Sequence, residues 1–205
     1  MSTKSCGVLA ILLAASGLAP GIAVAHEHHE GDFVVARSPG DQLILNEEDG
    51  RHVDEPIDLT PIPPGGLVEG WSEDDPGFDH QHEDEAGYLA LESGAEIWLQ
   101  IVSLDPALKL ISDNIPYDEP NDLIYLGDHE IHKHMTWWVD SEDAGFNPTQ
   151  GAWFGTFELI DEGMTGYGDS SPFTLEFHIP EPTTLTALAL GGLPILLGRR
   201  RRAER

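Results

Sequence analysis

The sequence predicts an all-β fold, an antiparallel β-sandwich, for the body of this 205-residue chain. Three observations carry that expectation. Short runs rich in Val, Ile, Leu, Phe and Trp alternate apolar with polar residues, the period of a half-buried strand. Gly, Pro, Asn and Asp gather between the runs, where turns are needed. No long stretch of the body repeats its apolar residues at the 3.6-residue period of an amphipathic helix.

Strands are expected, in order, at 33–37, 42–46, 88–92, 96–104, 108–111, 123–126, 133–140, 153–160 and 172–179. Within 133–140, Met135, Trp137 and Val139 fall on the face opposite the polar positions and are assigned to the core. Trp153, Phe157 and Leu159 share a face, with Gly155 between them. Phe173, Leu175, Phe177 and Ile179 share another, opposite Thr174, Glu176 and His178. Residues 46–76, with Pro61-Ile62-Pro63-Pro64-Gly65-Gly66, read as a long irregular connection, and 113–122 as a second one.

Both ends read as processing signals, which divides the chain into 1–25, 26–179 and 180–205. Lys4 precedes an apolar stretch that closes on Ala23-Val24-Ala25, the order of a secretory signal peptide, here an N-terminal signal helix whose small residues Ala23 and Ala25 mark cleavage after Ala25. The single Cys, Cys6, lies before that cleavage, so the mature chain would fold without a disulfide or a cysteine metal site. At the other end Pro180-Glu181-Pro182 leads into an uncharged hydrophobic helix and then Arg199, Arg200, Arg201 and Arg202. A basic tail holds that end in the cytoplasm while the body is exported.

The order Pro-Glu-Pro, apolar helix, Arg tail resembles the PEP-CTERM sorting signal of Gram-negative bacteria that make exopolysaccharide. The resemblance implies Sec-dependent export, passage through the inner membrane by a transient transmembrane helix, and an exosortase that recognises the motif. It places the body at the cell surface or in the extracellular polysaccharide.

Charge narrows the partners. The chain carries 37 acids against 10 Lys and Arg, a formal charge of -27. Between residues 26 and 180, only Arg37, Arg51, Lys109 and Lys133 oppose 35 acids. So acidic a body excludes nucleic acid and disfavours an anionic membrane, both of which are bound through basic side chains. Its self-repulsion is relieved by salt or by divalent cations.

Histidine placement carries the chemistry. Eight of the ten histidines fall in three clusters: His26-Glu27-His28-His29, Asp79-His80-Gln81-His82, and His129-Glu130-Ile131-His132-Lys133-His134. On a strand, His132 and His134 share one face, and His129 on the preceding turn is placed to close over them. Three imidazoles, or two with Asp128 or Glu130, suit zinc, copper, nickel or iron. His80 and His82 form a second pair of the same spacing, and the two pairs are expected to meet across a sheet edge. Cleavage after Ala25 would make His26 the N-terminus and His28 the third residue. That arrangement offers four nitrogens in a plane for Cu(II) or Ni(II). Asp-rich loops such as Glu73-Asp74-Asp75 offer oxygens to Ca²⁺, without the spacing of a known calcium loop.

The string from His132 through Trp137-Trp138, Gly151-Ala152-Trp153-Phe154-Gly155-Thr156-Phe157 and Ser170 to Phe177 is similar to two groups of secreted domains. One comprises His-x-His/Trp β-sandwich domains found near metal-uptake transporters. The other comprises PEP-CTERM proteins under zinc-responsive repression. The likeness implies a metal ligand and transfers no catalytic residue.

No nucleophile elbow, phosphate-binding glycine loop or His-Glu-x-x-His helix is present, so the sequence is read as non-enzymatic. Two functions are expected from it. One is an exported surface or matrix protein that binds zinc or a similar transition metal through clustered histidines. The other is a structural or adhesive protein of the exopolysaccharide matrix, taking glycan on its tryptophans (Trp71, Trp98, Trp137, Trp138, Trp153) or Ca²⁺ on its acids.

Overall fold

The computed structural model describes residues 31–64 and 68–179; the signal peptide, His26, His28 and the sorting motif lie outside these residues. The described residues are all-β and contain no helix. In chain order the strands are β1 (Phe33–Arg37), β2 (Leu43–Asn46), β3 (Ile57–Asp58), β4 (Thr60–Pro61) and β5 (Gly70–Glu73). Next come β6 (Phe78–His80), β7 (Glu96–Leu104), β8 (Leu108–Ser112), β9 (Ile115–Tyr117) and β10 (Leu123–Asp128). The last four are β11 (His132–Lys133), β12 (Thr136–Asp140), β13 (Ala152–Asp161) and β14 (Phe173–His178).

They form three sheets, ordered β11-β6-β1-β2, β10-β7-β13-β14-β3 and β4-β5-β12-β8-β9. Antiparallel pairing dominates, as alternation predicts. Two pairs run parallel, β1 with β6 and β14 with β3. All three sheets contribute to one apolar core. Trp137 from β12 sits at its centre, 5.8 Å from Phe157 and 5.1 Å from Phe177 by ring centroids. Truncating such a fully buried tryptophan costs about 3–5 kcal/mol. The assigned core faces hold: Met135, Trp137, Val139, Trp153, Phe157, Leu159, Leu175 and Phe177 are all buried.

Several expectations are corrected. The stretch 46–76 is not wholly irregular, since it supplies β3, β4 and β5. Two-residue pairings such as Ile57 with Phe177 leave no alternation long enough to read. The stretch 113–122 contains β9, joined to β8 by a tight turn at Asp113 and Asn114. Both turn residues have positive φ, 53° and 64°, the backbone a two-residue hairpin demands. Residues 88–92 form no strand, only an isolated bridge from Leu89 to Arg37. The run 133–140 divides into β11 and β12, and its halves join different sheets. That division sends Trp137 inward and leaves His132 and His134 beside β6. The tryptophans do not form a common sugar platform, because Trp137, Trp138 and Trp153 are buried.

Candidate metal site at the β1–β6–β11 edge

β6 pairs with β1 on one side and with the edge strand β11 on the other. Asp79 stands opposite Val34 of β1 and opposite His132 of β11. This register brings together segments about 50 and 100 residues apart. Two trios of ligand-bearing side chains result, Asp32–His132–His134 and Asp79–His80–His82, each with its ligand atoms within 4.8 Å of one another.

In the first trio Asp32 is buried, and its Oδ1 accepts a 2.7 Å hydrogen bond from the Gly77 amide. Its Oδ2 is buried too, accepts no hydrogen bond, and lies 3.5 Å from His134 Nε2. The other ring nitrogen, Nδ1, faces two acceptors, Asp75 Oδ1 at 2.9 Å and the Asp74 carbonyl at 3.4 Å. Nδ1 therefore carries the proton and donates. In the neutral ring this leaves the Nε2 lone pair facing a buried carboxylate oxygen. Two electron-pair donors so placed need a proton or a cation between them. Their separation matches the ligand-to-ligand edge of a tetrahedral ion with bonds of about 2.0–2.2 Å. His132 completes the trio, its ring centroid 5.3 Å from that of His134.

In the second trio Asp79 is likewise buried. His80 Nδ1 donates to the Ile131 carbonyl at 2.9 Å, which leaves Nε2 as the ligating nitrogen. His82 Nε2 lies 3.9 Å from Asp79 Oδ2, and the His80 and His82 rings are 4.3 Å apart. Beside them Asn46 Nδ2 donates to Gln81 Oε1 at 2.7 Å, tying β2 to the segment after β6. A cleft of about 410 Å³ opens on Asp32, with Arg51, Asp58, Glu73 and Asp75 also on its wall.

The predicted histidine pairs thus meet at a sheet edge. His129 does not join them: it belongs to neither trio, and its Nδ1 is 3.8 Å from Asp128 Oδ1. The turn that carries it ends before β11 begins, so it does not close over the pair. Sequence reasoning missed Asp32 and named Asp75 only as part of an Asp-rich loop for Ca²⁺. Asp32 follows the His26–His29 cluster in the chain, and only the parallel β1–β6 pairing brings it to His132 and His134. Asp79 was visible beside His80 but was indistinguishable from its many acidic neighbours.

No family model, curated protein or solved structure matches this chain. The residues of the site carry the functional argument by themselves.

Proposed function

We propose that this chain is an exported β-sandwich protein of the cell surface or extracellular matrix that binds a transition metal, zinc or a similar ion. The ligands are the histidines and aspartates of the β1–β6–β11 edge. One observation carries the reading: Asp32 Oδ2, buried without a hydrogen bond, faces a histidine nitrogen whose partner nitrogen is already committed to Asp75. A carboxylate–histidine–metal relay has this arrangement. The terminal motifs support export through the Sec machinery and handling by an exosortase. The role we assign is storage, buffering or hand-over of the ion rather than catalysis.

Calorimetric titration of the periplasmically produced chain with Zn²⁺ and Cu²⁺ tests this. A tight stoichiometric site, lost when His132 and His134 are both changed to Ala, is the expected result. Weak multi-site binding unchanged in that variant would overturn it.

A second reading, matrix adhesion, is favoured by one feature. Trp98 and the exposed Tyr125 lie 5.0 Å apart on neighbouring strands, a surface on which a sugar ring can stack.

A further inference from the structure

The two trios adjoin, and one residue reaches both. Asp79 Oδ2 faces His82 Nε2 at 3.9 Å, and Asp79 Oδ1 lies 4.0 Å from His132 Nδ1. The same Oδ1 is 3.2 Å from His80 Nδ1. Oδ1 also accepts from the His80 amide at 2.9 Å, so the carboxylate sits in the second trio and reaches the first through His132. Its buried position and its place opposite His132 in the ladder hold it there.

We propose that the edge is a two-ion centre in which the Asp79 carboxylate bridges the ions. This rests on the metal-binding reading above and deepens it. Bridging resolves the count of ligands. Asp32, His132 and His134 supply three ligands, and Asp79 Oδ1, 4.0 Å from His132, drawn in on binding would complete the closed set of four of a structural site. His80, His82 and the other Asp79 oxygen give the second ion three, which leaves a position for water or an incoming ligand. The first ion is therefore held and the second exchanges. Paired ions about 3.5–4 Å apart are a known arrangement where a shared carboxylate offsets their repulsion. Here Asp32 and Asp79 sit within the pair and Asp75 stands behind His134, in a body with few cations. The outer histidines are braced as ligands require, His134 by Asp75 and His80 by the Ile131 carbonyl.

The test counts ions and then asks whether they share Asp79. The full chain is loaded with Zn²⁺ and weighed by native mass spectrometry, titrated with Co²⁺, and loaded with Cu²⁺ for electron paramagnetic resonance. Asp79→Asn, Asp32→Asn and the double variant His80→Ala/His82→Ala are run alongside, with circular dichroism reporting the fold. The expected result is two ions per chain and a spin-coupled Cu²⁺ pair. Asp79→Asn should weaken both binding steps by roughly tenfold or more. Asp32→Asn should weaken the tighter step more than the looser one. The double histidine variant should keep one ion and lose the coupling, which decides the matter if Asp79→Asn fails to fold. Two uncoupled ions, with only one step sensitive to Asp79→Asn, would overturn the bridge. A single ion per wild-type chain would overturn the pair. In both cases metal binding itself survives. No stoichiometric ion at all would sink the metal-binding reading together with the bridge.

Discussion

His134 Nδ1 lies 2.9 Å from Asp75 Oδ1, and this contact fixes which nitrogen of the ring faces Asp32. Asp75 itself is exposed, so the contact adds little to the stability of the fold. Its effect falls on the tautomer and orientation of the His134 ring. Asp75→Asn is expected to weaken Zn²⁺ binding by about 10–100-fold while unfolding free energy changes by less than about 0.5 kcal/mol. Competition against a chromophoric chelator, with urea melts of the metal-free protein, measures both. Unchanged affinity would remove Asp75 from the site.

Gly77 lies against the same ring. A Cβ there would come within 2.8 Å of the Lys133 carbonyl and 2.9 Å of His134 Nδ1. Both contacts are too close to stand, so the imidazole must shift and the Gly77 and β11 backbones must part as well. Gly77→Ala should therefore weaken Zn²⁺ binding at least as much as Asp75→Asn does. It should also destabilise the apo protein, since the Gly77 amide donates to Asp32 and a displaced backbone strains that bond. Titration and a thermal melt of the same sample report the two effects.

How far the sequence anticipated this site depends on the range of each signal. Alternation is local, so the strands at Phe33–Arg37 and Glu96–Leu104 were legible to the residue, as was the core face of Trp137. The shared face of His132 and His134 followed from the same period. Pairing is not local. Nothing near Asp32 announces that β1 would run parallel to β6 and lie one strand away from β11. The short strands β3, β4 and β11 span two residues each and are held by their neighbours, so propensity does not mark them. The acids behaved similarly. With 37 in the chain, burial marks Asp32 and Asp79, together with Asp140, among the described residues, and burial is a property of the fold.

Away from the site, Lys109 is the cation on which the β8–β12 pair depends. Its Nζ lies 2.9 Å from Asp140 and 3.1 Å from Asp143, and 5.4 Å from the Trp138 ring. Burial alone would lower its pKa; the hydrogen bonds to Asp140 and Asp143 outweigh that and raise it. A group raised in the folded state contributes stability that is whole below its unfolded value, about 10.4, and lost as pH climbs through the folded one. Lys109→Met should cost about 1.5–3 kcal/mol at pH 7, because it leaves two carboxylates without their cation. The difference from wild type should shrink above roughly pH 10.5. Denaturant melts from pH 7 to 11 would follow it, and a gap that stayed constant across that range would refute the assignment.

Asp161 gives the corresponding effect in acid. It ends β13 and gathers the loop that follows. Its Oδ1 accepts from the amides of Glu96 and Gly163 at 3.0 and 2.9 Å, and its Oδ2 accepts from the Thr165 hydroxyl. Burial pushes its carboxyl upward, but the bonds from Thr165, Glu96, Gly163 and Tyr167 together hold it below the ordinary value. A depressed carboxyl stabilises the fold above its unfolded pKa, about 3.9, and the contribution disappears as pH falls through the folded value. Asp161→Asn keeps the shape but turns an amide N–H₂ towards one set of donors. It should cost about 1–3 kcal/mol at pH 7. As pH drops below about 4 the wild-type carboxyl takes up its proton and the two proteins should converge. Unfolding free energies at pH 7, 5, 4 and 3 trace that convergence. A gap that persisted undiminished at pH 3 would mean that shape, and not the charge on Asp161, holds this loop.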